Sequence, residues 1–172
     1  MYKVHNRSSQ DTSSIETLLQ SFMPYAQKKM GFNRPPVIEF QSDPENAQNP
    51  LGKTGHYEPS TMTIAVYIDK RHPKDVLRSL SHELVHHTQN CRGEFDGASG
   101  VGEQGYAQKD SHLREMEREA YELGNMCFRD WEDGYKQSNY NSDAGVDVSL
   151  QEWRNNELNS LLMERFIKGV KK

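Results

Sequence analysis

A chain of 172 residues is long enough for one domain with a real core and a tail or two. Only 34% of it is hydrophobic and its mean hydropathy is -0.94, so long exposed loops or a poorly ordered segment are expected. A formal charge of -4 gives no basic patch for nucleic acid, and no apolar run approaches the roughly 18 residues of a membrane span.

Residues up to about 12 read as disordered. The first six lack the apolar stretch of a signal peptide, which makes a reducing cytoplasm the expected compartment. Ser13 and Glu16 form a capping-box pattern that opens a first helix. Ile15, Leu18, Leu19, Phe22, Ala26 and Met30 give it an apolar face, Pro24 is expected to kink it, and Gly31 to end it. After Pro35-Pro36, residues 37–40 (Val-Ile-Glu-Phe) read as a short strand. Residues 41–60, with Pro44, Pro50, Gly52, Gly55 and Pro59, read as turns and loop. Next, Met62, Ile64, Val66 and Ile68 alternate with Thr63, Ala65, Tyr67 and Asp69, the clearest strand in the chain.

A second helix is expected from Pro73, a residue suited to a first helical position because its missing N–H would be unpaired there anyway. Asp75 adds favourable charge in the first turn. Val76, Leu80 and Leu84 form its buried stripe, and it should reach about Cys91, with Gly93 as its stop. Residues 93–110 hold five glycines and read as a flexible loop. A third helix starts near Asp110 or Ser111, carries Leu113, Met116, Ala120, Leu123 and Cys127, and is expected to end by Gly134. The reading gives a domain over 13–133, a polar linker over 134–149 and a C-terminal amphipathic helix over 150–172. Leu158, Leu161, Leu162 and Phe166 of that last helix need cover, either from the domain itself or from a partner or second copy. Cys91 and Cys127 make no close metal pair and are expected as buried free thiols.

The chemistry concentrates in His82-Glu83-Leu84-Val85-His86. Residues four apart on a helix share a face, so His82 and His86 can point two imidazoles at one ion. Glu83 flanks that face, where it can take a proton from a water on the ion. This is the arrangement of zinc proteases. Zinc lowers the pKa of its water towards roughly 7, making a nucleophile available at neutral pH. Leu80 and Leu84 each lie two positions from a proposed ligand, about 200° round the helix, so one face is expected to bury while the opposite one presents the metal. The alternating strand upstream fits the same reading, because an edge strand in such enzymes pairs with an extended substrate.

A third protein ligand is needed, leaving one position for water. Gln89 and Arg92 stand where the metzincin pattern requires glycine and histidine, which excludes that class. The alternative is a glutamate on the third helix, which offers Glu115, Glu117, Glu119 and Glu122. Glu119 flanks the expected apolar stripe and is followed by the small Ala120, which lets two helices approach closely. Glu119 is therefore the expected third ligand, with Glu115 next and His112 after it. Tyr106 or Tyr121 offers a phenol to a developing oxyanion. His87 is read as a packing or surface residue, and His56 and His72 as surface residues.

The segments His82-Glu83-Leu84-Val85-His86-His87-Thr88-Gln89 and Glu117-Arg118-Glu119-Ala120-Tyr121 resemble the small gluzincin-type metallopeptidases of phage and bacterial genomes, related in pattern to the ImmA/IrrE group. Gly55-His56-Tyr57 and Thr63-Ile64-Ala65-Val66-Tyr67 resemble that group's strand region, so the likeness covers about residues 13 to 132. It implies an α+β, zincin-like fold with a small antiparallel sheet beside an active-site helix. It also implies zinc held by two histidines and a glutamate, and hydrolysis of peptide bonds. The chain departs from the group in its long glycine-rich insert, which leaves the third ligand open, and in its C-terminal helix. The competing expectation is a non-catalytic zinc-binding interaction module of the same fold. Retention of Glu83 argues against it, since a structural zinc site needs no general base.

Overall fold

The computed structural model describes residues 2–95 and 111–144, with side chains to residue 139. The chain divides into two compact units, Met1–Glu132 and Asp133–Lys172. The first is α+β. Its elements run β1 (Lys3–Asn6), α1 (Ser13–Met30), β2 (Val37–Gln41), a 3-10 turn at Asn46–Gln48, β3 (Gly55–Glu58), β4 (Thr63–Tyr67), α2 (Pro73–Cys91) and α3 (Ser111–Ala144), the last continuing into the second unit.

The sheet order is β1-β2-β4-β3. It is mixed, not antiparallel: β1 and β4 both run parallel to β2, and only β3 runs antiparallel to β4. The direction follows from the connections. A tight turn at residues 59–62 folds β3 back onto β4, whereas α1 carries the chain from β1 to β2 over a distance that permits parallel pairing.

Three expectations need correction here. Residues 3–6 are not disordered; Lys3 N–H donates to Pro36 O at 3.3 Å and Arg7 N–H to Phe40 O at 2.8 Å, so the ladder orders the segment. The stretch read as loop contains β3, whose Tyr57 faces the core while its neighbours on the strand do not. The alternating strand, now β4, is interior and not an edge, so the sheet margin near α2 is β3.

Helix α1 begins one residue earlier than a Ser13 cap would give. Thr12 takes the cap position, and its hydroxyl donates to the Glu16 carboxylate at 2.6 Å, while Ser13 N–H donates to Asp11 Oδ1 at 2.9 Å. Gly31 ends the helix in the left-handed region at φ 81°, its N–H returning to Gln27 O. Helix α2 starts at Pro73 with His72 as cap, His72 Nδ1 accepting from Lys74 N–H. Val76, Leu77, Leu80, Leu84 and Val85 are fully buried. The burial does not stop at that face: every residue from Glu83 to Gln89 is buried as well, so α2 is a central helix.

Helix α3 packs through Leu113, Met116, Ala120, Gly124, Cys127, Phe128 and Trp131. Phe22 of α1 meets Phe128 and Trp131 edge-on, with centroids 6.4 and 5.2 Å away. The helix passes through Gly134 and reaches Ala144, into the span expected as linker. One glycine costs a helix about 1 kcal/mol, too little to stop it by itself. The expected C-terminal helix, 150–172, lies outside the described residues. No described helix is long and apolar enough to cross a membrane.

Candidate metal centre

His82 and His86 project from one side of α2 as their spacing dictates, and their Nε2 atoms stand 3.2 Å apart. Glu117 on α3 faces both: its Oε2 lies 3.4 Å from His82 Nε2 and its Oε1 3.4 Å from His86 Nε2. Among the described residues these three form the group whose ligand atoms lie together closely enough to hold one ion. A tetrahedral ion with bonds of about 2.0–2.1 Å needs ligand atoms about 3.3 Å apart. The two nitrogens meet that requirement, each lies 3.4 Å from one of the two Glu117 oxygens, and one ligand atom from each residue falls within 4.8 Å of the others. The donor set, two imidazoles and one carboxylate, is also one that zinc accepts in catalytic sites.

The glutamate that meets the histidines is thus Glu117, and Glu119, the expected ligand, is turned to other partners. Arg92 Nη2 reaches both its carboxylate oxygens at 2.9 and 2.8 Å, and Gln89 Nε2 donates to its Oε2 at 2.9 Å. Burial opposes its ionisation, but Arg92 and Gln89 outweigh that and hold its pKa below the usual carboxylate range. Glu115 is exposed and paired with Arg118. His112 is exposed, with its Nε2 3.3 Å from Glu94 O.

What lets Glu117 reach the site is the closeness of α3 to α2. A Cβ on Gly124 would stand 3.0 Å from His82 Cα and 3.1 Å from His82 N. In the same place Ser81 Oγ donates to Gly124 O at 2.8 Å. The helices therefore touch backbone to backbone at the residue that carries the first histidine.

Glu83 is 7% exposed. Burial raises its pKa, opposed by His86 and His82 and reinforced by Glu117. A Cβ on Gly55 would come within 3.3 Å of Glu83 Cγ and Oε1, so the absence of a side chain on β3 makes room for this carboxylate. His86 is also buried. Burial disfavours its charged form, but Glu117 and Glu83 more than compensate and its pKa lies above the usual histidine value. Its Nδ1 lies 2.8 Å from Gln89 Oε1. Gln89 is fully buried, and its Nε2 also donates to Met116 O at 2.9 Å.

Aromatic rings stand beside the histidines. Tyr121, 69% exposed, sits edge-on to His82 with centroids 6.0 Å apart, and Phe95 lies 6.4 Å from His86. Tyr106 lies outside the described residues. His87 points away from the centre. It bridges Tyr57 Oη at 3.1 Å and Arg34 O at 2.8 Å, and Asn90 Nδ2 donates to the same phenol at 2.8 Å. Burial pushes the Tyr57 hydroxyl up to about 12, so it remains a neutral phenol that ties β3 to α2. His56 and His72 are exposed. Cys91 is half-buried and Cys127 buried, both free, and burial pushes the Cys127 thiol up to about 11.

Sequence reasoning named Glu117 among four glutamates without choosing it, and gave Gln89, Gly55 and Gly124 no part in the site. Gly124 carried a usable signal, since a glycine in mid-helix marks a close backbone approach. No family model matches the sequence, and no curated protein or solved structure matches the chain.

Proposed function

We propose that this protein is a zinc-dependent metalloendopeptidase with a zincin-like fold of the gluzincin type, its metal held by His82, His86 and Glu117. The observation that carries the reading is the convergence of three ligand groups, the two Nε2 atoms 3.2 Å apart and each 3.4 Å from one oxygen of the Glu117 carboxylate, set beside a buried glutamate that is not one of the three. A zinc ion there would supply Lewis acidity towards a water and a substrate carbonyl. Glu83 accepts the proton of the attacking water and passes it to the leaving amine. Burial raises its pKa, and a carboxyl shifted in that direction holds the proton more readily on its way to the amine. Among the described residues β3 is an outer strand of the sheet, the kind of edge that an extended peptide can pair with, and Gly55 places that strand against Glu83. Tyr121 stands where a phenol can reach an oxyanion near His82. Two thiols without a disulfide fit a reducing compartment, and we place the protein in the cytoplasm.

Glu83→Gln tests the reading. The amide cannot accept the water's proton, so peptide cleavage should fall about a hundred- to ten-thousand-fold while zinc content is kept. Wild type and variant are each loaded with zinc, incubated with a peptide library and read by mass spectrometry. Equal cleavage by both removes Glu83 from the mechanism. No cleavage by zinc-loaded wild type favours the non-catalytic interaction module instead.

A further inference from the structure

We propose that Gln89 is a positioning residue that locks His86 in its Nδ1–H tautomer, aiming the Nε2 lone pair into the ligand triangle; the inference rests on the metal-centre reading above. The neighbours of the Gln89 amide fix its orientation. Its nitrogen lies 2.9 Å from Met116 O and 2.9 Å from Glu119 Oε2. A main-chain carbonyl can only accept, and so can a carboxylate paired with an arginine. A flipped amide would set its oxygen against two acceptors while Gln89 itself is fully buried, at a cost of about 1–3 kcal/mol for a lost buried bond. The amide therefore faces one way, with Oε1 towards His86 Nδ1 at 2.8 Å.

An amide oxygen only accepts, so the hydrogen between the two must sit on His86 Nδ1. In neutral imidazole the lone pair is then on Nε2. That nitrogen is the one 3.2 Å from His82 Nε2 and 3.4 Å from Glu117 Oε1. The other tautomer would bring a lone pair against the amide oxygen and cap Nε2 with a proton. Glu119 gains a role by the same reasoning. It does not enter the triangle, but it anchors the amide that orients a ligand, and Arg92 anchors Glu119 in turn. Partners of this kind raise the basicity of the ligating nitrogen and fix the ring plane.

The experiment has a readout that needs no activity and no metal. Protein labelled with nitrogen-15 in its histidines is freed of metal and held at a pH where imidazoles are neutral. The ring-nitrogen shifts of His86 then report its tautomer. The expected result is Nδ1–H in wild type. Gln89→Met keeps the size and burial of the side chain without its polar groups. In that variant the preference should disappear, and the zinc dissociation constant, measured by competition with a chelator, should rise about 10–100-fold. Finding Nε2–H in wild type overturns the proposal with no variant required, even if Gln89→Met does not fold. Zinc affinity within twofold of wild type in a folded Gln89→Met overturns it too. Wild type that shows Nδ1–H but binds no zinc supports the hold of Gln89 on His86 and defeats the metal-centre reading instead.

Discussion

Helices α2 and α3 both supply ligand atoms to the candidate centre, but they hold them by different means. On α2 the two histidines are one turn apart, and the turn itself sets their separation. From Glu83 to Gln89 every residue of that helix is buried, so the turn that carries His86 is enclosed. On α3 the carboxylate arrives from across a helix interface, so its position depends on how closely two backbones pack at Gly124 and Ser81. A ligand pair built into one helix should tolerate changes elsewhere. A ligand delivered by packing should be sensitive to them.

The largest effect tests the first half of that contrast. Leu84 is fully buried between the two histidines, and Leu84→Ala should destabilise the protein by about 2–5 kcal/mol. Thermal or denaturant unfolding measures it. In the fraction that remains folded, zinc affinity should change little, because the helical turn still sets the histidine spacing. A loss of zinc affinity much larger than the loss of folding would show that the pair depends on the core beneath it.

The second test compares two glutamates on α3. Glu117→Ala removes a ligand and should weaken zinc binding by more than about 100-fold, beyond the range for outer partners. Glu119→Ala removes only an anchor of Gln89, leaving the bond to Met116 O, and should cost about tenfold. Chelator competition gives both values. A reversal of the order would return the ligand role to Glu119.

That contrast explains how far the site could be read from sequence. Helix α2 was legible from Pro73 to Cys91, and its histidine pair with it, because the signals are local: a proline at the start and a fixed spacing. The choice on α3 depends on the direction in which the helix faces. The centre of the stripe of Leu113, Met116, Ala120, Leu123 and Cys127 lies about 80° from both Glu117 and Glu119, so it does not separate them. In the structure Leu123 is only half-buried, while Gly124, Phe128 and Trp131 are buried. With those residues included, the stripe's centre lies about 45° from Glu117 and about 115° from Glu119. The two glutamates separate only when Phe128, Trp131 and a glycine that packs by its backbone are counted and the half-buried Leu123 is set aside. The sheet was hidden for a related reason. Strand β1 has no buried residue and β3 a single one, so neither shows an alternating pattern, and both exist through pairing with distant partners.

The third test varies pH instead of sequence. Zinc must displace the proton that His86 holds with an elevated pKa in the metal-free protein. Zinc affinity should therefore increase as pH rises through that pKa, by about tenfold per unit for one proton released, and level off above it. In the metal-free protein the sign is opposite. A raised folded pKa contributes stability that is present below the unfolded value and lost as pH rises through the folded one. Calorimetry in buffers of different ionisation enthalpy counts the protons released. Zinc binding without proton release would mean that His86 is already neutral.

A fourth test presses on the interface. Gly124→Ala places a Cβ 3.0 Å from His82 Cα, where only backbone is available to yield. Stability should fall by about 1–3 kcal/mol as α3 moves outward. Zinc affinity should fall as well, since the shift carries Glu117 away from the histidines. If stability drops while zinc affinity holds, the ligand on α3 is less dependent on packing than the comparison requires.

The smallest expected effect comes from the other side of the same contact. Ser81 is fully buried and donates to Gly124 O at 2.8 Å, tying α3 to α2 one residue before His82. Its acceptor is a helical carbonyl with a second lone pair engaged in its own helix, so Ser81→Ala leaves no main-chain group wholly unpaired. The loss should therefore be the net value of one hydrogen bond, about 0.5–1.5 kcal/mol, without the larger penalty of a stranded polar atom. Because alanine is smaller, nothing pushes the helices apart, and zinc affinity should stay within a few-fold of wild type. The pair Ser81→Ala and Gly124→Ala then separates two contributions at one contact, attraction across the interface and the space that permits it. If Ser81→Ala weakens zinc binding as much as Gly124→Ala does, the hydroxyl and not the missing side chain holds Glu117 within reach of the histidines.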